Sequence, residues 1–221
     1  GFPSACAVAR AAMIRRCARA LTTKNSGESL MLIYNLFPLL AGPFEHWEPH
    51  FKRAADMGFD WIFINPVQKP GYSGSLYSIV DYFQLNPLLV DPQSKLTPEA
   101  QIKAALAGAD ALGLKVMVDL VINHCAFDSE LTREHREWFV QENGNVAHPF
   151  CMEDGRKVVW GDLALFNHQH TSDPEGLYRY CYKIVEYLLD LGFKGFRCDA
   201  AYQIPGPIWK RLIHEIRQKY P

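Results

Sequence analysis

The sequence predicts an α/β protein built on a parallel sheet. Three observations carry this expectation. Short apolar runs alternate four times with segments of helical periodicity. Helical crossovers between apolar strands are what parallel pairing requires. Polar residues gather just past the ends of the runs, the side on which parallel α/β folds bind ligands.

The elements follow in order. Met31–Phe37 (MLIYNLF) reads as a first strand. Phe44 to Met57 carries Trp47, Phe51, Ala54 and Ala55 at helical spacing, and Gly58 stops it. Asp60–Asn65 (DWIFIN) is a second buried strand, closed by Pro66. Thr97 caps the next helix and Pro98 suits its first turn. Ile102, Ala105, Leu106, Ala109 and Leu112 form its apolar face, and Gly113 ends it. Lys115–Ile122 (KVMVDLVI) is the third strand. Asp173 and Pro174 open a helix with Leu177, Cys181, Ile184, Leu188 and Leu191 on one face and Gly192 at its end. Lys194–Cys198 is the fourth strand, and Pro205–Tyr220 a last helix with Ile208, Leu212, Ile213 and Ile216 inward. Two long connections, 66–96 and 123–172, follow the second and third strands. Connections of that length in a compact domain are functional or hold small structures of their own.

Composition excludes several classes. The 221 residues suffice for one substantial core or two small domains, and 48% hydrophobic with 21% charged residues is ordinary for a globular protein. A net charge of −1 gives no broad reason to bind nucleic acid or an anionic membrane. No run of 18 apolar residues reads as a bilayer-spanning helix. Residues 1–27 hold five cations and no acid, leaving the rest at −6. Residues 1–30 therefore read as a basic, poorly ordered leader; a targeting role is the alternative, although a continuous apolar segment of secretory type is missing. The chain starts at Gly1, with Met13 and Met31 as possible natural starts. Cys6, Cys17, Cys125, Cys151, Cys181 and Cys198 form no CxxC, so they read as reduced, mostly buried thiols of a cytoplasmic protein.

Candidate chemistry lies at the strand ends: Asn65 after the second strand, Asp119, Asn123 and His124 in and after the third, Arg197 and Asp199 around the fourth. Arg197 and Asp199 are two apart and share a strand face, while Phe196 and Cys198 take the other. An arginine beside a carboxylate favours its ionised form, which a nucleophile on a sugar carbon must adopt. The same spacing also fits a plain salt bridge within a sheet.

Four motifs add weight. Asp119–His124 (DLVINH) and Gly195–Ala201 (GFRCDAA) resemble the first and second signature regions of the α-amylase superfamily, glycoside hydrolase family 13. Trp160–Asn167 (WGDLALFN) resembles the signature near the end of that family's domain B, and Ser75–Pro87 (SLYSIVDYFQLNP) its segment after the second strand. The resemblance covers 31–221 and is closest to bacterial amylase and maltosyltransferase-like members. It implies the first four βα units of a TIM (β/α)8 barrel with a domain-B-like insertion at 123–172. It implies Asp199 as catalytic nucleophile, Arg197 as the residue that orients it, and His124 as a hydrogen-bond partner of the sugar at the cleaved bond. Tyr77, four residues before Asp81, matches the aromatic platform under that sugar, and Asp81 belongs to the same substrate-binding segment. Asp119 and Asn123 match a structural acid and an amide that pins domain B. Asn123 and Asp162 are possible calcium ligands. However, Tyr202 and Gln203 stand where the family usually has lysine and histidine, positions that help build the calcium site and the acceptor-sugar subsite. Tyr202 is kept as a substrate-binding candidate.

The implied substrate is an α-1,4-glucan or maltooligosaccharide, and the implied mechanism needs a second carboxyl as general acid. The family's glutamate at the end of a fifth strand has no counterpart here, and Glu186 and Glu215 lie in helical patterns on the wrong side. The expectation is the N-terminal part of a longer enzyme, inactive without the missing C-terminal half of the barrel. The alternative is a non-catalytic carbohydrate-binding or interaction module with Tyr77, His124 and Trp160 as contacts. Hydrolysis and transglycosylation stay open, and the lack of GxGxxG or GxxxxGK loops disfavours phosphate binding.

Overall fold

Four strands form a parallel sheet in simple order: β1 (Ile33–Leu36), β2 (Trp61–Ile64), β3 (Lys115–Leu120) and β4 (Gly195–Cys198). The computed structural model describes residues 30–220; the basic leader, with Cys6, Cys17 and Met13, lies outside the described residues except at its last position. Helices α1 (Glu48–Asp56), α2 (Pro98–Ala111) and α3 (Pro174–Leu191) make the crossovers, and α4 (Gly206–Lys219) follows β4.

Alternation sorts the sheet into two faces. Ile62, Ile64, Val116 and Val118 are buried toward the helices. Trp61, Phe63 and Met117 on the opposite face are half-buried, and Ile33 there is exposed. The helices behave mostly as their periodicity predicts. Thr97 Oγ1 accepts from the Ala100 N–H at 3.2 Å, and Asp173 Oδ1 from Gly176 N–H at 3.0 Å, each satisfying an orphan donor of a first turn. Asp173 also accepts from Trp138 Nε1 at 3.0 Å, so the cap of α3 is tied to the segment before it.

Two helical faces depart from expectation. Leu112 falls at the end of α2 and is exposed, while Gln101 is buried in its place. The Gln101 amide compensates by bonding Asp91 and Leu96 backbone groups at 2.9–3.1 Å, as a buried amide must. In α4 Leu212 is buried and Ile208 and Ile216 are half-buried against the core as expected, but Ile213 is exposed. There α4 meets α3 through charge: Arg211 bonds Glu175 and Glu215, and Arg179 bonds the same two acids. Cys125 and Cys181 are buried as expected, whereas Cys151 and Cys198 are only half-buried.

Both long connections hold small structures. After β2, Gln68–Pro70 pairs antiparallel with Ile79–Leu85. After β3, His124–Ala126 pairs antiparallel with Leu163–Leu165, and between them lie two hairpins, Gln141–Glu142 with Asn145–Val146 and Phe150–Glu153 with Arg156–Val159. The two connections touch at Gly71, where an added Cβ would run into the Asp128 carboxylate and stand 2.7 Å from the Ala126 methyl. The Tyr72 N–H also donates to Asp128 at 3.1 Å. Farther on, His168 Nε2 donates to the Ile122 carbonyl at 2.7 Å and fastens the end of the insertion to the end of β3.

Two outcomes follow from these fastenings. Gly71→Ala should lower stability by about 1–3 kcal/mol, read as a lower Tm, because the Ala126 side sits in a buried strand and does not yield. Burial pushes the His168 imidazole below its ordinary value, and its bond to Ile122 opposes this only in part. Above that ordinary value the ring is neutral in both states; below it the unfolded chain takes up a proton more readily than the folded one, so stability falls with pH. Between about pH 7.5 and pH 5 the drop in Tm should be smaller in His168→Gln, which keeps a donor without a titrating ring. An equal drop in both proteins would remove His168 from the account.

Candidate active site

Register places Asp119 of β3 directly opposite Arg197 of β4. Phe196 and Cys198 pack against the core, so Arg197 and Asp199 emerge together on the other face. Asp199 extends β4 by one residue, its N–H donating to the Leu120 carbonyl at 3.0 Å. Ala200 then takes φ 45°, a left-handed conformation that a side chain adopts under strain, and the chain turns into Ala201–Gln203.

One guanidinium nitrogen organises the carboxylates. Arg197 Nη1 donates to Asp199 Oδ1 at 2.7 Å and to Asp119 Oδ1 at 2.8 Å. Asp119 is fully buried, and its other oxygen accepts from the Tyr77 hydroxyl at 2.8 Å. The Tyr77 oxygen accepts from Asn65 Nδ2 at 2.9 Å, and Asn65 Oδ1 accepts from Asn35 Nδ2 at 3.2 Å. The chain of bonds therefore runs from β1 to the end of β4 across the mouth of the whole sheet.

The electrostatics are those of one cation between two acids. Burial pushes the Asp119 carboxyl up, while its bonds from Arg197 and Tyr77 pull it down. The hydrogen bond to Asp119 raises Arg197, which stays charged. Burial first, and then the bond to Asp119, push the Tyr77 phenol up to about 12, so it is a donor at neutral pH. Asp199 is mostly shielded, with only one carboxylate oxygen engaged by a side chain among the described residues.

His124 stands beside this cluster. The buried Tyr82 hydroxyl donates to the His124 carbonyl at 2.7 Å and fixes its backbone. Burial pushes the imidazole below its ordinary value, against the raising effect of the Asp199 charge, so the ring is neutral at pH 7. Asn123 Nδ2 lies 3.4 Å from Nδ1, and the ring also meets the Tyr77 backbone. The buried Nε2 has no partner among the described residues. An unmet buried polar atom costs about 1–3 kcal/mol, so the position suits a polar ligand group.

Asn123 Nδ2 also donates to Gln203 Oε1 at 2.8 Å, joining the insertion to the turn after Asp199. Tyr202 in that turn is exposed, with its hydroxyl accepting from Gln203 Nε2 at 3.1 Å. Two expected residues stand apart. The Asp81 carboxylate accepts from its neighbour Phe83 N–H at 2.9 Å, and its charge acts on Tyr180 and Tyr187 of α3, not on the Asp199 cluster. Asp162 contributes its backbone carbonyl, which accepts from Phe127 N–H and Ser78 Oγ, while its charge reaches His124.

Of the two possible calcium ligands, Asn123 turns its amide nitrogen to Gln203, and among the described residues no three His, Cys, Asp or Glu side chains come together around a common point. Sequence reasoning missed Asn35 and Tyr82 and treated Gln203 only as a departure. A polar amide inside the apolar run MLIYNLF was the available signal for Asn35.

Comparison with known proteins addresses the family and the fold. The family model described as glycogen debranching enzyme, glucanotransferase domain, matches residues 28–143, just over half of the chain. An α-1,4-glucan:maltose-1-phosphate maltosyltransferase of Arcanobacterium haemolyticum is 28% identical over 76% of this chain and 26% of its own length. The α-amylase MalA of Haloarcula japonica is 27% identical over 78% of this chain and 24% of its own. The chain thus spans about a quarter of the length of the curated relatives it matches. Among solved structures, an α-amylase from Lactobacillus plantarum superposes with TM-score 0.71 at 28% identity, covering 86% of this chain and 43% of that one. The maltogenic α-amylase AmyB of Thermotoga neapolitana gives TM-score 0.69 at 26% identity, over 85% and 43%. With its parallel α/β sheet and its acid–arginine cluster at the strand ends, this chain belongs to the glucanotransferase-domain family of glycogen debranching enzymes, within the α-amylase superfamily.

Proposed function

We propose that this chain supplies the nucleophile side of a retaining active site on α-1,4-glucans or maltooligosaccharides. The observation that carries the reading is Arg197 bridging Asp199 to the buried Asp119 beside an unpartnered His124 Nε2. The relatives' names, a maltosyltransferase on α-1,4-glucan and an α-amylase, give the substrate class.

In this reading Asp199 attacks the anomeric carbon through the oxygen not held by Arg197. The bond to the leaving sugar breaks, its oxygen takes a proton from a general acid, and a glycosyl ester on Asp199 results. Water or a sugar hydroxyl then displaces Asp199, giving hydrolysis or transfer. Arg197 holds Asp199 in place through its bond to Oδ1. His124 Nε2 hydrogen-bonds a hydroxyl of the sugar at that carbon, and the Tyr77 ring lies under it. Asp119, Tyr77, Asn65 and Asn35 act through Arg197 as positioning residues. The four βα units are the first half of a (β/α)8 barrel and 123–172 its domain-B-like insertion. Consistent with this, apolar side chains on the sheet face away from the helices are only partly covered. Glu186 pairs with Lys219, and Glu215 with Arg211 and Arg179, so neither is offered as the acid; it comes from outside the described residues.

The test is maltoheptaose incubated with the full-length protein, products followed by chromatography. Asp199→Asn should cut turnover by about 10³-fold or more while the fold persists. Arg197→Ala should lose turnover and also melt lower, because Asp119 is left buried without its cation. Turnover by Asp199→Asn at the parent rate would contradict the reading. Sugar binding without turnover in the parent would favour a binding module instead.

A further inference from the structure

The turn that follows Asp199 holds a conformation that its own sequence does not favour. Ala200 has φ 45° and ψ 33°, the left-handed region, where a Cβ crowds the backbone. The other non-glycine residues with positive φ among the described residues are Asn143 and Asp154. Each precedes a glycine at a hairpin tip, where that conformation belongs to the turn type. Ala200 stands between an aspartate and an alanine, outside any hairpin, and has no side-chain oxygen to bond the backbone. Such a residue persists where its surroundings over-determine it.

Those surroundings lie on both sides of it. Upstream, the Asp199 N–H continues the strand ladder to the Leu120 carbonyl at 3.0 Å. Downstream, the Ala201 carbonyl accepts from Trp209 Nε1 at 3.0 Å. Trp209 belongs to α4, and its half-buried ring packs against the core. Two residues farther on, Arg211 ties α4 to α3 through Glu175. The reversal at Ala200 is thus pinned between the sheet and a clamped helix. Arg197 fixes one oxygen of the Asp199 carboxylate, whereas the Cα from which that carboxylate hangs is placed by these backbone bonds. Relaxation of Ala200 to a negative φ would rotate the peptide that follows Asp199 and shift that Cα.

We propose that the Trp209 indole N–H is a positioning group for Asp199. By holding the Ala201 carbonyl it keeps Ala200 left-handed, so that α4 as well as the sheet sets the aim of the carboxylate. The inference rests on the reading of Asp199 as nucleophile and adds a residue that acts on it only through the backbone of the turn.

The test measures kcat and KM of the full-length protein on maltoheptaose, with Tm beside them. Trp209→Phe keeps an aromatic ring and loses the N–H; it should lower kcat about tenfold with KM little changed. Glycine takes the left-handed region without penalty, so adding Ala200→Gly to Trp209→Phe should bring kcat back to within about threefold of the parent. A substitution that only damaged packing would gain nothing from a change confined to the backbone of the turn. Parent kcat in Trp209→Phe would overturn the inference while leaving the reading of Asp199 intact. A loss that Ala200→Gly does not restore, with Tm falling alongside, would also overturn it. Turnover by Asp199→Asn at the parent rate would overturn the proposed function and this inference with it.

Discussion

The arrangement at the strand ends depends on one buried carboxylate. Asp119 has no exposure to solvent, and an isolated charge there would be expelled or neutralised. The Arg197 guanidinium and the Tyr77 hydroxyl are what let it stay, and in doing so each is fixed in place. Because the same Nη1 reaches Asp199, satisfying Asp119 also orients the second acid. The parallel register that sets Arg197 opposite Asp119 is therefore both a structural condition and a condition for the site.

The two long connections exist within this constraint. The one after β2 delivers the Tyr77 hydroxyl to Asp119 and the Tyr82 hydroxyl to the His124 carbonyl. The insertion after β3 begins at His124 and is fastened back by His168 on Ile122 and by Asn123 on Gln203. Rigid strands thus carry the charged groups, and loops bring the neutral donors that a sugar would meet. This division suits a site whose charges must be preorganised while its ligand contacts vary.

Much of this was legible in the sequence, and the reasons differ by residue. The period-2 rule put Arg197 and Asp199 on one face, and in the structure Arg197 Nη1 donates to Asp199 Oδ1. Periodicity and caps gave α2 and α3 nearly to the residue at Thr97 and Asp173. What stayed hidden was pairing across distance. Nothing local in DWIFIN or MLIYNLF says that Asn65 and Asn35 bond each other, because strand order has to be known first. Gln101 was invisible as a core residue because its burial depends on backbone groups of a preceding loop. Asp81 shows a different limit: its place in the motif was legible, but not that one of its carboxylate oxygens accepts from the Phe83 N–H two residues on. On α4, ion pairs with α3 stand beside the apolar contacts of Ile208, Leu212 and Ile216, which a helical pattern of isoleucines does not reveal.

The most direct measurement is mass spectrometry of the full-length protein after incubation with a fluorinated α-glucosyl donor that forms the glycosyl ester but releases it slowly. The account predicts one added glycosyl group on the peptide holding Asp199, lost in Asp199→Asn. A label on any other residue, or turnover of maltoheptaose with no covalent species at Asp199, would contradict it.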